Sequence, residues 1–203
     1  MSGAVIWTLV ALGLAVLVVR RRSLAVALVT AQALVLVGVA LDEAESSGDV
    51  IAAGALAVRA IVLAGLFLLL VSRTRAVRPV RARVAPLARA GIAVAFALAL
   101  TWLVPAIGLV SRDAERAVLA LVAFGIATAA LRRATLFQII GIVLVENALA
   151  LAALQLPGGA SVAIELGVAL DLILVALVAV VFYERIFAEF GTADSAALRA
   201  LRD

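Results

Sequence analysis

The chain has 203 residues, 67% apolar and 15% charged, with a formal net charge of +4 and a mean hydropathy of +1.28. Soluble domains are nearer half apolar, so this composition belongs to a polytopic membrane protein with too little polar sequence for a separate soluble domain. Cysteine and histidine are both absent, which excludes thiolate and histidine ligation of iron–sulfur, haem and the usual zinc centres, thiol redox chemistry, and Ser-His or Cys-His nucleophile pairs.

In chain order, seven apolar spans are expected, at 3–19, 23–41, 50–71, 90–110, 117–131, 134–156 and 161–183. Most reach the roughly 20 residues that cross a hydrocarbon layer. With no water there to satisfy backbone groups, the spans should be helices, so the fold class is all-α. The fifth is short and bracketed by Arg116 and Arg132. Pro105 should kink the fourth. Residues 157–159, Pro-Gly-Gly, read as a tight turn between the last two spans. Within the polar tail, residues 192–202 read as a short capped helix with Leu198 and Leu201 on one side, or else as a frayed terminus. A cleavable signal peptide is not expected, because Arg20, Arg21 and Arg22 follow the first apolar run instead of preceding it.

The charges between spans alternate. Arg20, Arg21 and Arg22 follow the first span, and Asp42, Glu43, Glu45 and Asp49 follow the second. Arg73, Arg75, Arg78, Arg81, Arg83 and Arg89 lie before the fourth, and Arg132 and Arg133 before the sixth. The positive-inside rule then puts the N-terminus outside and the C-terminus in the cytoplasm, as for a multi-pass protein of the cell inner membrane. All 17 basic residues are arginine. They sit at the ends of apolar runs, where topology accounts for them, so the sequence pI of ≈ 11.1 is not read as nucleic-acid binding.

Four ionisable residues fall inside the spans: Arg59, Glu146, Glu165 and Asp171. Each costs about 2.5 kcal/mol or more at the bilayer centre unless paired, protonated or hydrated. Gln32, Gln138, Asn147 and Gln155 add uncharged polar groups. Helical rise puts Glu146 and Asp171 each roughly 18 Å from the cytoplasmic ends of their spans, at one level near the midplane. A desolvated carboxylate there has a raised pKa, and a neighbouring arginine lowers it again, which is the chemistry of a proton relay. Gln138, two turns below Glu146, would feed such a relay from the cytoplasm. Structural readings stand beside this one. Arg59 can simply neutralise an acid, Glu165 can reach the outer headgroups, and the amides can join helices.

These residues carry a resemblance. Residues 141–148, Gly-Ile-Val-Leu-Val-Glu-Asn-Ala, then 156–159, Leu-Pro-Gly-Gly, then 165–171, Glu-Leu-Gly-Val-Ala-Leu-Asp, are similar to the hydrogenase-4 component E family. Those are membrane subunits of formate hydrogenlyase-type and related energy-converting hydrogenase complexes. Residues 195–202 resemble that family's tail, and the similarity covers roughly 134–203. Spans five to seven in turn resemble the K-type subunit of respiratory complex I and the C subunit of multisubunit sodium/proton antiporters. Asp171 falls at the last-span acid of the K-type pattern, whereas Glu146 stands one helical turn past that pattern's other acid, which would fall at Val143.

Hydropathy gives four N-terminal helices over 1–111, and the resemblance implies a K-type-like three-helix module over 112–183 followed by a cytoplasmic tail over 184–203. It also implies a subunit with no cofactor and no active site of its own. The soluble hydrogenase arm and the antiporter-like subunits would be its partners. Proton translocation would use Glu146, Asp171 and Glu165, supported by Arg59, Gln138, Asn147 and Gln32. A cation/proton antiporter subunit and a non-conducting scaffold are the alternatives.

Overall fold

A computed structural model describes residues 1–74, 84–132 and 134–157, and from the C-terminal part 172–173, 175–177, 179–183 and 185. Six helices are delimited among them: α1 Gly3–Val18, α2 Arg22–Asp42, α3 Ser47–Thr74, α4 Pro86–Leu103, α5 Arg112–Leu131 and α6 Thr135–Leu154. The described residues contain no β-strand. Five helices, α2 to α6, are long and apolar enough to cross a membrane; α1 is a shorter apolar helix. This is the make-up of a multi-pass membrane protein.

Each helix starts and stops for local reasons. At the start of α3, Ser46 and Asp49 cap each other. The Ser46 N–H donates to Asp49 Oδ2 at 2.8 Å, and the Asp49 N–H donates to Ser46 Oγ at 3.2 Å, a reciprocal capping box that satisfies two orphan donors. Pro86 opens α4 at a position where a missing N–H costs nothing. That helix stops at Leu103, with Val104 extended (φ −86°, ψ 123°). The expected fourth span, 90–110 with a kink at Pro105, is therefore corrected: the residue before a proline avoids the helical region, so the helix ends instead of bending.

The fifth span is corrected in the other direction. It begins at Arg112, not 117, because Ser111 accepts from the Ala114 N–H at 3.1 Å. Asp113 and Glu115 then lie in the first turn, where the helix dipole favours anions. At 20 residues this helix has full length. Glu115 also accepts the N–H groups of Gly108 and Leu109 at 3.0 and 3.4 Å, tying down the connection from α4.

α5 is the hub of the bundle and packs against α1, α4 and α6. Its tightest contact is a glycine seam with α6. A Cβ on Gly125 would stand 2.7 Å from the Gly141 carbonyl oxygen and 2.9 Å from the Val145 nitrogen, and one on Gly141 would stand 2.6 Å from the Gly125 oxygen. Small residues let helix backbones touch where no hydrophobic force between helices acts.

Leu172, Ala176, Val180 and Tyr183 are buried in one apolar cluster with Leu63 and Phe67 of α3 and Phe137, Ile140 and Leu144 of α6. Their spacing of four, four and three is helical, with Val175, Leu177, Val181 and Phe182 exposed between them. The Pro-Gly-Gly turn beyond Pro157, the first half of the seventh span and the tail helix lie outside the described residues.

The bundle has two chemically different ends. At one, the Met1 ammonium pairs with Glu43 at the end of α2, and the Val110 N–H donates to the Gln155 carbonyl at the end of α6. At the other, Arg132 donates to the carbonyls of Leu17 and Val19 at the end of α1, and Arg22 Nη1 donates to the Tyr183 hydroxyl at 3.4 Å.

Candidate functional site

Three helices bring four polar side chains to a mid-helix level. Gln32 lies ten residues from either end of α2 (Arg22–Asp42), about 15 Å along the axis. Arg59 lies near the middle of α3, and Glu146 and Asn147 lie just past the middle of α6. Arg59, Gln32 and Asn147 are buried, at 2%, 1% and 1% exposure. A cation and two amides so enclosed must find partners or the fold is heavily penalised.

They find each other. Arg59 Nη1 donates to Glu146 Oε1 at 3.0 Å, and Arg59 Nη2 donates to Asn147 Oδ1 at 3.3 Å. Asn147 Nδ2 then donates to Gln32 Oε1 at 2.9 Å, and Gln32 Nε2 donates to the backbone carbonyl of Leu9 in α1 at 2.9 Å. The result is one directional chain from the guanidinium across α3, α6 and α2 to a helix carbonyl of α1. Gly13 makes its last link possible. It follows Leu9 by one turn, and a Cβ there would stand 3.4 Å from Gln32 Nε2 and 2.7 Å from Leu121 Cδ2.

Glu146 is the one member with a partly open side chain, 13% exposed against 3% for that of Arg59. The arginine fork thus grips a carboxylate and an amide at once.

The sequence-expected residues divide accordingly. Glu146, Arg59, Asn147 and Gln32 form one hydrogen-bonded group. Gln138 is exposed, beside exposed Ile142 and Leu149, and no hydrogen bond joins it to the group; eight residues of helix turn it about 80° away from Glu146. Gln155 is buried, but as the residue that ends α6. Glu165 and Asp171 lie outside the described residues. Among the described residues, no three His, Cys, Asp or Glu side chains gather where a metal could sit. A cavity of ≈ 360 Å³ lined by Trp102, Pro105, Arg112 and Arg116 belongs to the acidic end and touches none of the polar chain.

Sequence reasoning missed two buried cations, Arg89 and Arg132, at 0% and 2% exposure. Both stand near the ends of apolar runs and so read as ordinary topology markers. The Arg132 guanidinium lies 3.8 Å from the Phe137 ring centroid. An aromatic residue one turn and a half past an arginine was the available signal, and a weak one.

No family model, curated protein or solved structure matches this chain.

Proposed function

We propose that this protein is a seven-helix membrane subunit of an energy-converting redox complex, of the hydrogenase-4 and formate hydrogenlyase type related to complex I. Its intramembrane carboxylates take part in proton translocation. The arginine-rich end faces the cytoplasm, and the membrane is the cell inner membrane. Redox centres and antiporter-like subunits belong to its partners.

One observation carries the reading: Glu146 is held by Arg59 at mid-helix depth and continued through Asn147 and Gln32 to α1. A proton reaching Glu146 cancels the charge that Arg59 Nη1 holds. An isolated cation in hydrocarbon is costly, so Arg59 then shifts toward another acid or toward water. Protonation at one point thereby becomes a movement of α3 against α6. Asp171 and Glu165 are the proposed next acceptors, and Arg59 sets the proton affinity of whichever acid it faces.

The scaffold reading has support in the same contacts, since a cation whose hydrogen bonds are made can simply pin four helices together. Redox-driven proton uptake in membrane vesicles separates the two. Glu146→Gln is expected to abolish translocation while the complex still assembles. Full translocation in that variant refutes the proposal, and loss of assembly with normal coupling in the residual complex favours the scaffold.

A further inference from the structure

The arginine-rich end holds a second cluster that the proposed function does not use. Arg89 is completely buried, and none of its three guanidinium nitrogens has a hydrogen-bond partner among the described residues. Arg132 is 2% exposed; its Nη2 donates to the Leu17 and Val19 carbonyls, but its Nε and Nη1 have no hydrogen-bond partner among the described residues. None of the ion pairs among the described residues includes either arginine.

Three elements bring them to one place. Arg132 sits against the last turn of α1, and Arg20 follows that turn directly. Arg89 lies on the face of α4 that also buries Ala93 and Ala97, and α4 packs against α1 and α5. Burial and the nearby charges of Arg89 and Arg20 hold the Arg132 guanidinium down to about 9, so it remains a cation at neutral pH. Like charges do not gather in a dry place without an anion among them.

We propose that Arg89 and Arg132, with Arg20 at the rim, bind the headgroup phosphate of an anionic phospholipid. The unpartnered N–H groups are donors in the forked geometry that suits phosphate oxygens. A lipid source is favoured over a free anion by what adjoins the cluster. α4 is the least buried of the membrane-length helices, with 17% of its apolar window inside the protein. Leu87, Val94 and Leu98 are 84%, 40% and 62% exposed, and at spacings of seven and four they share one face. That face lies about 160° round the helix from Arg89, but both begin in the first turn of α4 at the arginine-rich end, so a lipid whose phosphate is seated on the cluster keeps its acyl chains in the adjoining leaflet. Basic pockets between helices take lipid headgroups in this way.

The test uses the full-length chain purified in neutral detergent. Its thermal midpoint is measured with added cardiolipin, phosphatidylcholine or inorganic phosphate, and retained lipid is counted by native mass spectrometry. Cardiolipin is expected to raise the midpoint and to stay bound, whereas phosphatidylcholine and inorganic phosphate do neither. Arg89→Gln should weaken cardiolipin retention about tenfold, the loss of one charge-assisted contact, while the exposed Arg21→Gln keeps it. Should Arg89→Gln fail to fold, Arg89→Lys serves, since it keeps the charge but loses the fork and should bind with intermediate strength. Equal responses to cardiolipin and phosphatidylcholine overturn the proposal, as does unchanged retention in both Arg89 variants. A response to inorganic phosphate as large as that to cardiolipin overturns the lipid source.

Discussion

Arg59 and Arg89 are both arginines buried to 2% exposure or less in apolar helices, yet their surroundings are opposite. Arg59 meets a carboxylate and an amide, and the amide passes the hydrogen bonding on across two more helices. Arg89 meets alanines on its own helix face and the charges of other arginines. The first site answers its own charge from within the chain, and the second requires an answer from outside. Burial alone therefore says little about what an intramembrane cation does; the sign and reach of its neighbours decide it.

The sharpest way to break this contrast is to turn the first site into the second. Glu146→Gln removes the charge that Arg59 Nη1 holds and should destabilise the protein by about 3–5 kcal/mol, the usual cost of breaking a buried ion pair. Arg59→Gln should do likewise through the stranded carboxylate. The double variant should recover most of that loss, because neither charge remains. Unfolding midpoints for the two singles and the double, compared as a cycle, measure the coupling; strict additivity would mean that the pair contributes nothing.

Gly13→Ala comes next in size. The new methyl presses on Leu121 and on the Gln32 amide, and overpacking of this kind costs about 1–3 kcal/mol. Its effect should shrink when Gln32 is already leucine, since part of the strain falls on that side chain. Equal losses in both backgrounds would show that Leu121 alone feels the methyl. Gln32→Leu by itself is the mildest change. Interhelical hydrogen bonds in membranes average about 0.6 kcal/mol, so a small drop in midpoint is expected. A drop several times larger would show that the whole chain, from Arg59 to Leu9, acts as one unit.

Much of the polar chain was legible in the sequence. Gln32, Arg59, Glu146 and Asn147 stand out because each interrupts a run that hydrocarbon would otherwise accept. Their joining was not legible, because it depends on helix rotation and on two close approaches, at Gly13 and at the Gly125–Gly141 seam. Rotation also separates Gln138 from the group: depth along a helix follows from counting residues, but facing does not. The helix limits that hydropathy missed were those governed by single residues. Ser111 pulls a charged stretch into α5, and Pro105 ends α4 rather than bending it. Arg89 and Arg132 were hidden by position, since an arginine at the end of an apolar run looks the same whether it points to water or into the bundle.

The glycine seam has a mechanical consequence. Gly125 and Gly141 bring two backbones into direct touch one turn from Glu146, so α5 and α6 cannot slide or roll past each other without collision. They form a fixed frame that carries the acid. Any stroke that parts the acid from its guanidinium then falls to α3, whose outer flank (Val58, Ile61, Leu68) is bare among the described residues.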